Sequence, residues 1–166
     1  NPKGVAPMGM SYLSSTRGAC HLFGQIPGGQ NSQAMLDSAG DCLLAREFTD
    51  RDLLAQILTS VLGRDFDAAS LYRLGERVVN LEKCFNWREG FTRQDDRRIP
   101  AALIRERLDP GQSREPIDER WLESTLNEHY RIRGWDRRTS KPQARTLERL
   151  GLDFVGDEFL GRTSNK

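Results

Sequence analysis

The sequence is poor in the residues that build redox centres or covalent frameworks unaided. Its three cysteines, Cys20, Cys42 and Cys84, lie far apart, and no CxxC pair occurs. An odd, scattered set does not make the disulfide framework of a small secreted domain and fits a reducing, cytoplasmic setting. Without a CxxC pair, no complete zinc or iron–sulfur site can form from one local segment. Histidine is scarce too, with His21 and His129 alone. Apolar runs are a few residues long, so no membrane span is expected. No basic segment followed by an apolar one opens the chain, so no signal peptide is expected. Charge of one sign is also missing: 25 Lys and Arg stand against 24 Asp and Glu, a net charge of +1. That balance argues against nucleic acid and against an anionic membrane as partners.

What is present suffices for a core. A chain of 166 residues with 37% hydrophobic content supports one domain spanning 1–166. Residues 1–31 are punctuated by Gly and Pro and read as a loop-rich entry segment with one short helix over Met10–Ser15. From Ser32 the pattern is helical, and Ala34, Met35, Ala39, Cys42, Leu43 and Leu44 share one apolar face. Thr49 is the expected N-cap of the next helix, with Asp50 and Asp52 in its first turn. Leu53, Leu54, Ile57, Leu58, Val61 and Leu62 recur at helical spacing there, and Gly63 ends it. Asp67 caps the longest helix. Its predicted core stripe is Leu71, Leu74, Val78, Leu81 and Phe85, with Arg73, Glu76, Arg77 and Lys83 opposite. Gly90 ends it.

Ala101–Leu108 suits one or two helical turns, and Pro116 the first turn of another helix. That helix buries Trp121, Leu122, Leu126, His129 and Tyr130 and stops at Gly134. Ser140 with Gln143 reads as a capping box for a short helix whose inner face is Ala144, Leu147 and Leu150. Gly151 caps it, and Leu152 makes the hydrophobic contact that follows. No strand pattern appears. The fold class is all-α, an irregular multi-helix arrangement.

Four stretches carry chemistry. In Asp37-Ser38-Ala39-Gly40-Asp41-Cys42 a carboxylate and a thiol stand five positions apart, on neighbouring flanks of a helix. In Arg17-Gly18-Ala19-Cys20-His21 a histidine sits in a Gly-bounded loop that a cofactor could approach, suited to proton transfer or ligation. Asn80–Pro100 interleaves Phe85, Trp87 and Phe91 with charges. Such charges read as a partly buried Arg–carboxylate network holding loops together, because buried charges need partners. Arg131–Arg138 is the most basic patch. The surrounding acids make it a cationic helix end rather than a nucleic-acid platform.

Taken together these stretches resemble the aldehyde:ferredoxin oxidoreductase family. The resemblance runs through Asn1–Met10 (NPKGVAPMGM) with Arg17–Leu22 (RGACHL), Asp37–Cys42 (DSAGDC), Glu76–Pro100, and Arg133–Leu152. It implies the family's mostly α-helical C-terminal domains as the fold. It implies a tungsten (or molybdenum) bis-pterin and one [4Fe-4S] cluster in the complete enzyme, which oxidises aldehydes to carboxylic acids with ferredoxin as acceptor. By the same resemblance Cys42 is the cluster's fourth ligand, Asp37 and Leu43 lie at the pterin, and His21 works near the tungsten as proton donor or substrate-orienting group.

The chain departs from the family pattern in several places. The other three cluster cysteines and the β-rich N-terminal pterin-binding domain are absent from it. Asp41 stands where Leu is usual, Phe23 stands near the place of a basic residue, and the passage from His21 to Asp37 is short. One cysteine cannot hold a cubane. The isolated 166-residue chain is therefore expected to be inactive and to hold no complete cofactor, with an N-terminal domain or subunit, ferredoxin and a small aldehyde as partners. Two alternatives are a non-catalytic helical module or subunit, and a relative acting on aromatic acyl-thioesters.

Overall fold

A computed structural model describes residues 6–20, 22–23, 28–45, 48–99 and 118–155. The helices are α1 (Ala6–Ser14), α2 (Gly28–Ala39), α3 (Arg51–Leu62), α4 (Ala68–Arg88), α5 (Glu119–Arg133) and α6 (Ala144–Arg149), with short 3-10 turns at Leu43–Ala45 and Asp95–Arg97. Among the described residues the only β pairing outside helices is an isolated bridge between Trp135 and Pro142. The all-α expectation holds. The expectations for Ala101–Leu108 and Pro116 fall outside the described residues. No described helix is long and apolar enough to cross a membrane.

Helix ends follow local chemistry. Asp67 closes a capping box with Ser70 at the start of α4, as the sequence implied. Gly63, Gly134 and Gly151 all take positive φ just past helix ends, the left-handed stop that glycine enters without penalty. Leu152 donates its backbone N–H to Leu147 O and is fully buried, giving the hydrophobic contact expected after Gly151.

Two expected caps are corrected. The N-cap of α3 is Asp50, whose carboxylate accepts from the N–H groups of Asp52 and Leu53. Thr49 instead turns its hydroxyl to Asp41 Oδ2 at 2.5 Å. The N-cap of α6 is Gln143, whose side chain makes no capping hydrogen bond, and Ser140 sits at φ +63° with its hydroxyl buried and unpartnered among the described residues. The earlier helices are also longer than the Gly/Pro content implied: α1 begins at Ala6 and α2 at Gly28.

The buried face of α4 is rotated from the predicted stripe. Leu71, Gly75, Val79, Asn80, Lys83 and Cys84 are buried, whereas Leu81 and Phe85 are about half exposed. The reason lies in what packs there. α2 crosses α4 at Gly75, so closely that a Cβ on that glycine would stand 1.9 Å from Asn31 O. One turn further on, Asn80 Oδ1 accepts from the Trp135 indole N–H at 2.8 Å. A polar residue on the inner face thus satisfies the donor of the largest buried side chain. Met10, Phe23, Ala34, Val79, Leu122, Leu126, Tyr130 and Trp135 form the main core. α3 packs through Ala55, Leu54 and Leu58 against Met35, Leu36 and Leu71. Its other stripe, Leu53, Ile57 and Val61, is open to solvent.

α5 buries Leu122, Leu126, His129 and Tyr130, as its periodicity implied, and Arg133 in addition. Arg133 donates to Gln30 Oε1 and Asn31 Oδ1 on α2. Trp135 is 1% exposed, which removes the aromatic that a nucleic-acid platform would need.

Candidate functional site

The stretch Asp37–Cys42 is a helix end followed by a turn. Gly40, at φ +73°, takes the left-handed conformation. Its N–H reaches Asp37 O and the Asp41 N–H reaches Leu36 O, a Schellman closure. This corrects the expectation of a helix running through Cys42: Asp37 lies in the last turn of α2, and Cys42 lies beyond it. The glycine between them separates the two chemistries in direction. Asp37 is fixed to a helix, while Cys42 projects from the following loop with an exposed, free thiol. The Thr49–Asp41 hydrogen bond and the backbone bond from Ala45 N to Cys42 O (2.8 Å) hold that loop closed. Leu43 opens the 3-10 turn and is half-buried.

The Asp37 carboxylate is positioned by Gln33, which the sequence pattern did not single out, and by Arg17, whose link to Asp37 it did not show. Gln33 Nε2 donates to Oδ1 at 2.8 Å, and Arg17 Nη1 donates to Oδ2 at 3.2 Å. Gln33 is one turn before Asp37, so i,i+4 spacing held that signal. Arg17 is twenty residues away and comes from the turn after α1. Its guanidinium also lies 4.9 Å from the ring centroid of the buried Phe23. The fold therefore brings Arg17 against Asp37. His21 itself lies outside the described residues.

α4 anchors the turn that leads to His21. Asn86 Nδ2 donates to Thr16 O at 2.7 Å, and the Thr16 hydroxyl donates to Glu82 Oε2 at 2.6 Å. Gly18, at φ +81°, turns the chain between them and Cys20. Residues 80–99 thus do hold loops together, through the expected arginine–carboxylate network, with Arg93 and Arg97 on Glu123, and through a lysine-based pair that is more deeply buried. Lys83 Nζ stands 3.1 Å from Asp96 Oδ2, with side chains 5% and 11% exposed. The Tyr130 hydroxyl donates to the same oxygen at 2.6 Å. Burial first, and then the Asp96 charge, pushes the Tyr130 hydroxyl far above its usual range. Lys83 had been placed on the polar face of α4. Arg93 reaches Glu123 at 2.6 Å, whereas Arg88 and Glu89 pair with each other on the surface.

His129 is a packing residue, edge-on to Trp135 at 5.4 Å between ring centroids. Burial, followed by the Arg133 and Lys83 charges, holds its imidazole well below the usual range. Neither ring nitrogen has a hydrogen-bond partner among the described residues. Cys84 is a core thiol that burial pushes up to about 11, unsuited to ligation. Among the described residues no three His, Cys, Asp or Glu side chains gather as a metal site. Cys42, free and exposed, could supply one thiolate to a metal group. Next to Asp37, Gln33 Oε1 is buried and has no hydrogen-bond partner among the described residues.

The chain is 27% identical to the tungsten-containing aldehyde ferredoxin oxidoreductase of Pyrococcus furiosus, over 92% of this chain and 29% of that protein. It is 25% identical, with the same shares, to the proteins of the same description from Pyrococcus abyssi and Thermococcus kodakarensis. The chain therefore spans less than a third of the length of these curated relatives. Residues 1–152 match the family model for domains 2 and 3 of aldehyde ferredoxin oxidoreductase, and on that match the chain belongs to the aldehyde ferredoxin oxidoreductase family.

Proposed function

We propose that this chain is the C-terminal helical part of a tungsten-dependent aldehyde-oxidising enzyme and works only together with an N-terminal pterin-binding domain or subunit. The observation that carries the reading is the pairing of an exposed, single thiol at Cys42 with a fixed carboxylate at Asp37 across the Gly40 turn. One thiolate is a quarter of a cubane's usual ligand set, so the arrangement has a use only where a second polypeptide segment brings the rest. The exposed apolar stripe of α3 supports association with further polypeptide.

In this reading Cys42 would hold one iron of a [4Fe-4S] cluster, and Asp37 with Leu43 would border a pterin. When bound, the tungsten (or molybdenum) bis-pterin and the cluster supply the two-electron oxidation of an aldehyde to a carboxylic acid and pass electrons on to ferredoxin. The chain's own residues orient and exclude. Arg17 and Gln33 hold the Asp37 carboxylate, and such supporting bonds tune cofactor affinity. His21, following the turn anchored by Asn86 and Glu82, moves a proton at the substrate oxygen. A cytoplasmic location accords with an oxygen-sensitive cluster.

The test is anoxic purification of the chain both alone and with whatever polypeptide accompanies it in its own cell. The expected result is iron, tungsten and aldehyde-dependent viologen reduction in the assembled form, and none of these in the chain alone. Full tungsten occupancy and turnover by the isolated chain would overturn the reading. An assembled form devoid of metal would favour a non-catalytic helical subunit instead.

A further inference from the structure

A cavity of about 430 Å³ opens between the end of α1, the Ser15–Gly18 turn, the last turns of α4 and the Phe91–Asp96 loop. This size falls within the roughly 300–1,000 Å³ of small-molecule sites. One side is apolar, with Leu13 and Phe91. The other carries Arg17, Lys83, Asn86, Asp95 and Asp96. The formal charges cancel, but their hydrogen-bonding capacity does not.

The acidic groups are largely spent inside the fold. Asp95 accepts from the Thr92 backbone N–H at 2.8 Å and pairs with Arg98 at 3.2 Å. Asp96 Oδ2 takes both Lys83 and the Tyr130 hydroxyl. The cationic groups keep donors. Lys83 has three N–H donors, makes one hydrogen bond among the described residues, to Asp96, lies 4.9 Å from the Trp135 ring centroid and lines the cavity. Arg17 uses only Nη1, on Asp37, among its hydrogen bonds to the described residues. A buried Lys–Asp pair gains little stability over an apolar pair of the same volume. Placed in a cavity wall, it offers a desolvated donor held at a fixed position.

We propose that this cavity binds a small organic carboxylate, with its carboxylate oxygens on Lys83 and Arg17 and its apolar body against Leu13 and Phe91. The inference rests on the aldehyde-oxidising reading, whose acid product has this chemistry, and assigns Lys83 and Phe91 to substrate-class recognition. The cavity shares the Arg17–Gly18 wall with the segment that leads to His21.

The experiment is a benzoate titration of the full 166-residue chain, read as amide shifts by NMR, with benzyl alcohol as the uncharged control. The expected result is saturable shifts at Leu13, Arg17 and Phe91, and weaker or no binding of the alcohol. Lys83→Met should weaken benzoate by about tenfold or more, the usual worth of a charge-assisted hydrogen bond. Phe91→Ala should weaken it several-fold. Phe91 stands half in solvent, so that variant serves if Lys83→Met does not fold. Absence of saturable shifts, equal binding of the alcohol, or unchanged affinity in the folded variants would overturn the proposal. No metal is present in this assay, so its failure leaves the Cys42 reading standing. Loss of iron binding by Cys42 would leave the cavity standing.

Discussion

Replacing Gly75 by Ala sets two well-characterised effects against each other. Alanine is the better helix former by about 1 kcal/mol in a helix interior, so propensity alone predicts a more stable protein. Packing predicts the opposite. The new Cβ would meet Asn31 O at 1.9 Å, Asn31 C at 2.8 Å and Met35 N at 3.0 Å, all backbone atoms that cannot rotate away. Ordinary contact begins at 3.4 Å, so α2 must retreat by about 1.5 Å at the crossing. A gap of 0.5–1 Å already forfeits roughly a quarter to a half of each dispersion contact along the interface. The same retreat stretches the Arg133 bonds to Gln30 and Asn31, leaving a buried cation short of acceptors. Overpacking and the weakened bonds together come to about 3–4 kcal/mol, which propensity offsets by about 1, for a net loss of about 2–3 kcal/mol. Urea unfolding measures it, with Ser60→Ala on the exposed face of α3 as a control expected to change little. A Gly75→Ala protein as stable as the parent would refute the close crossing of α2 and α4, and with it the placement of Asp37.

Other consequences follow from the buried polar groups. His129→Phe removes an imidazole whose nitrogens bond nothing among the described residues, so stability at pH 7.5 should change by less than about 1 kcal/mol. The same variant should flatten the acid limb of stability. The unfolded histidine titrates near 6.5 while the folded one stays neutral far below that. The parent should therefore lose up to about 1.4 kcal/mol per pH unit as pH falls below 6.5, with no contribution above it. A loss of several kcal/mol at pH 7.5, or an unchanged acid limb, would contradict this. Lys83→Met strands the Asp96 charge and should cost about 3–5 kcal/mol. Adding Asp96→Asn should recover part of that loss in a double-mutant cycle, because it removes the stranded charge and keeps an acceptor for Tyr130.

How much of this was legible in the sequence depended on the range of the interaction. Local signals read well: Asp67 with Ser70, Gly63, Gly134 and Gly151 are decided within a turn or two of chain. The apolar periodicity of α5 also survived, because one face alone meets the core. The stripe of α4 failed because two packing surfaces compete for that helix. Gly75 and Asn80 point inward for reasons that lie on α2 and at Trp135, far along the chain. The site divides in the same way. Asp37 and Cys42 were visible as a motif, but the Gly40 turn that separates them was read through as helix. Gln33 was recoverable from its spacing to Asp37. Arg17 was not, because a twenty-residue separation leaves no periodic trace. Lys83 was hidden by its type, since lysines so seldom lie buried.

The central claim is that Cys42 holds a cluster whose other ligands come from another polypeptide segment. The most direct measurement is iron and acid-labile sulfide in the anoxically assembled protein, comparing Cys42→Ser with Cys20→Ser. The account predicts that Cys42→Ser loses the intact four-iron cluster and its reduced-state EPR signal. Cys20→Ser should keep about four iron atoms, as expected for a [4Fe-4S] centre. Full iron content and an unaltered signal in Cys42→Ser would contradict it.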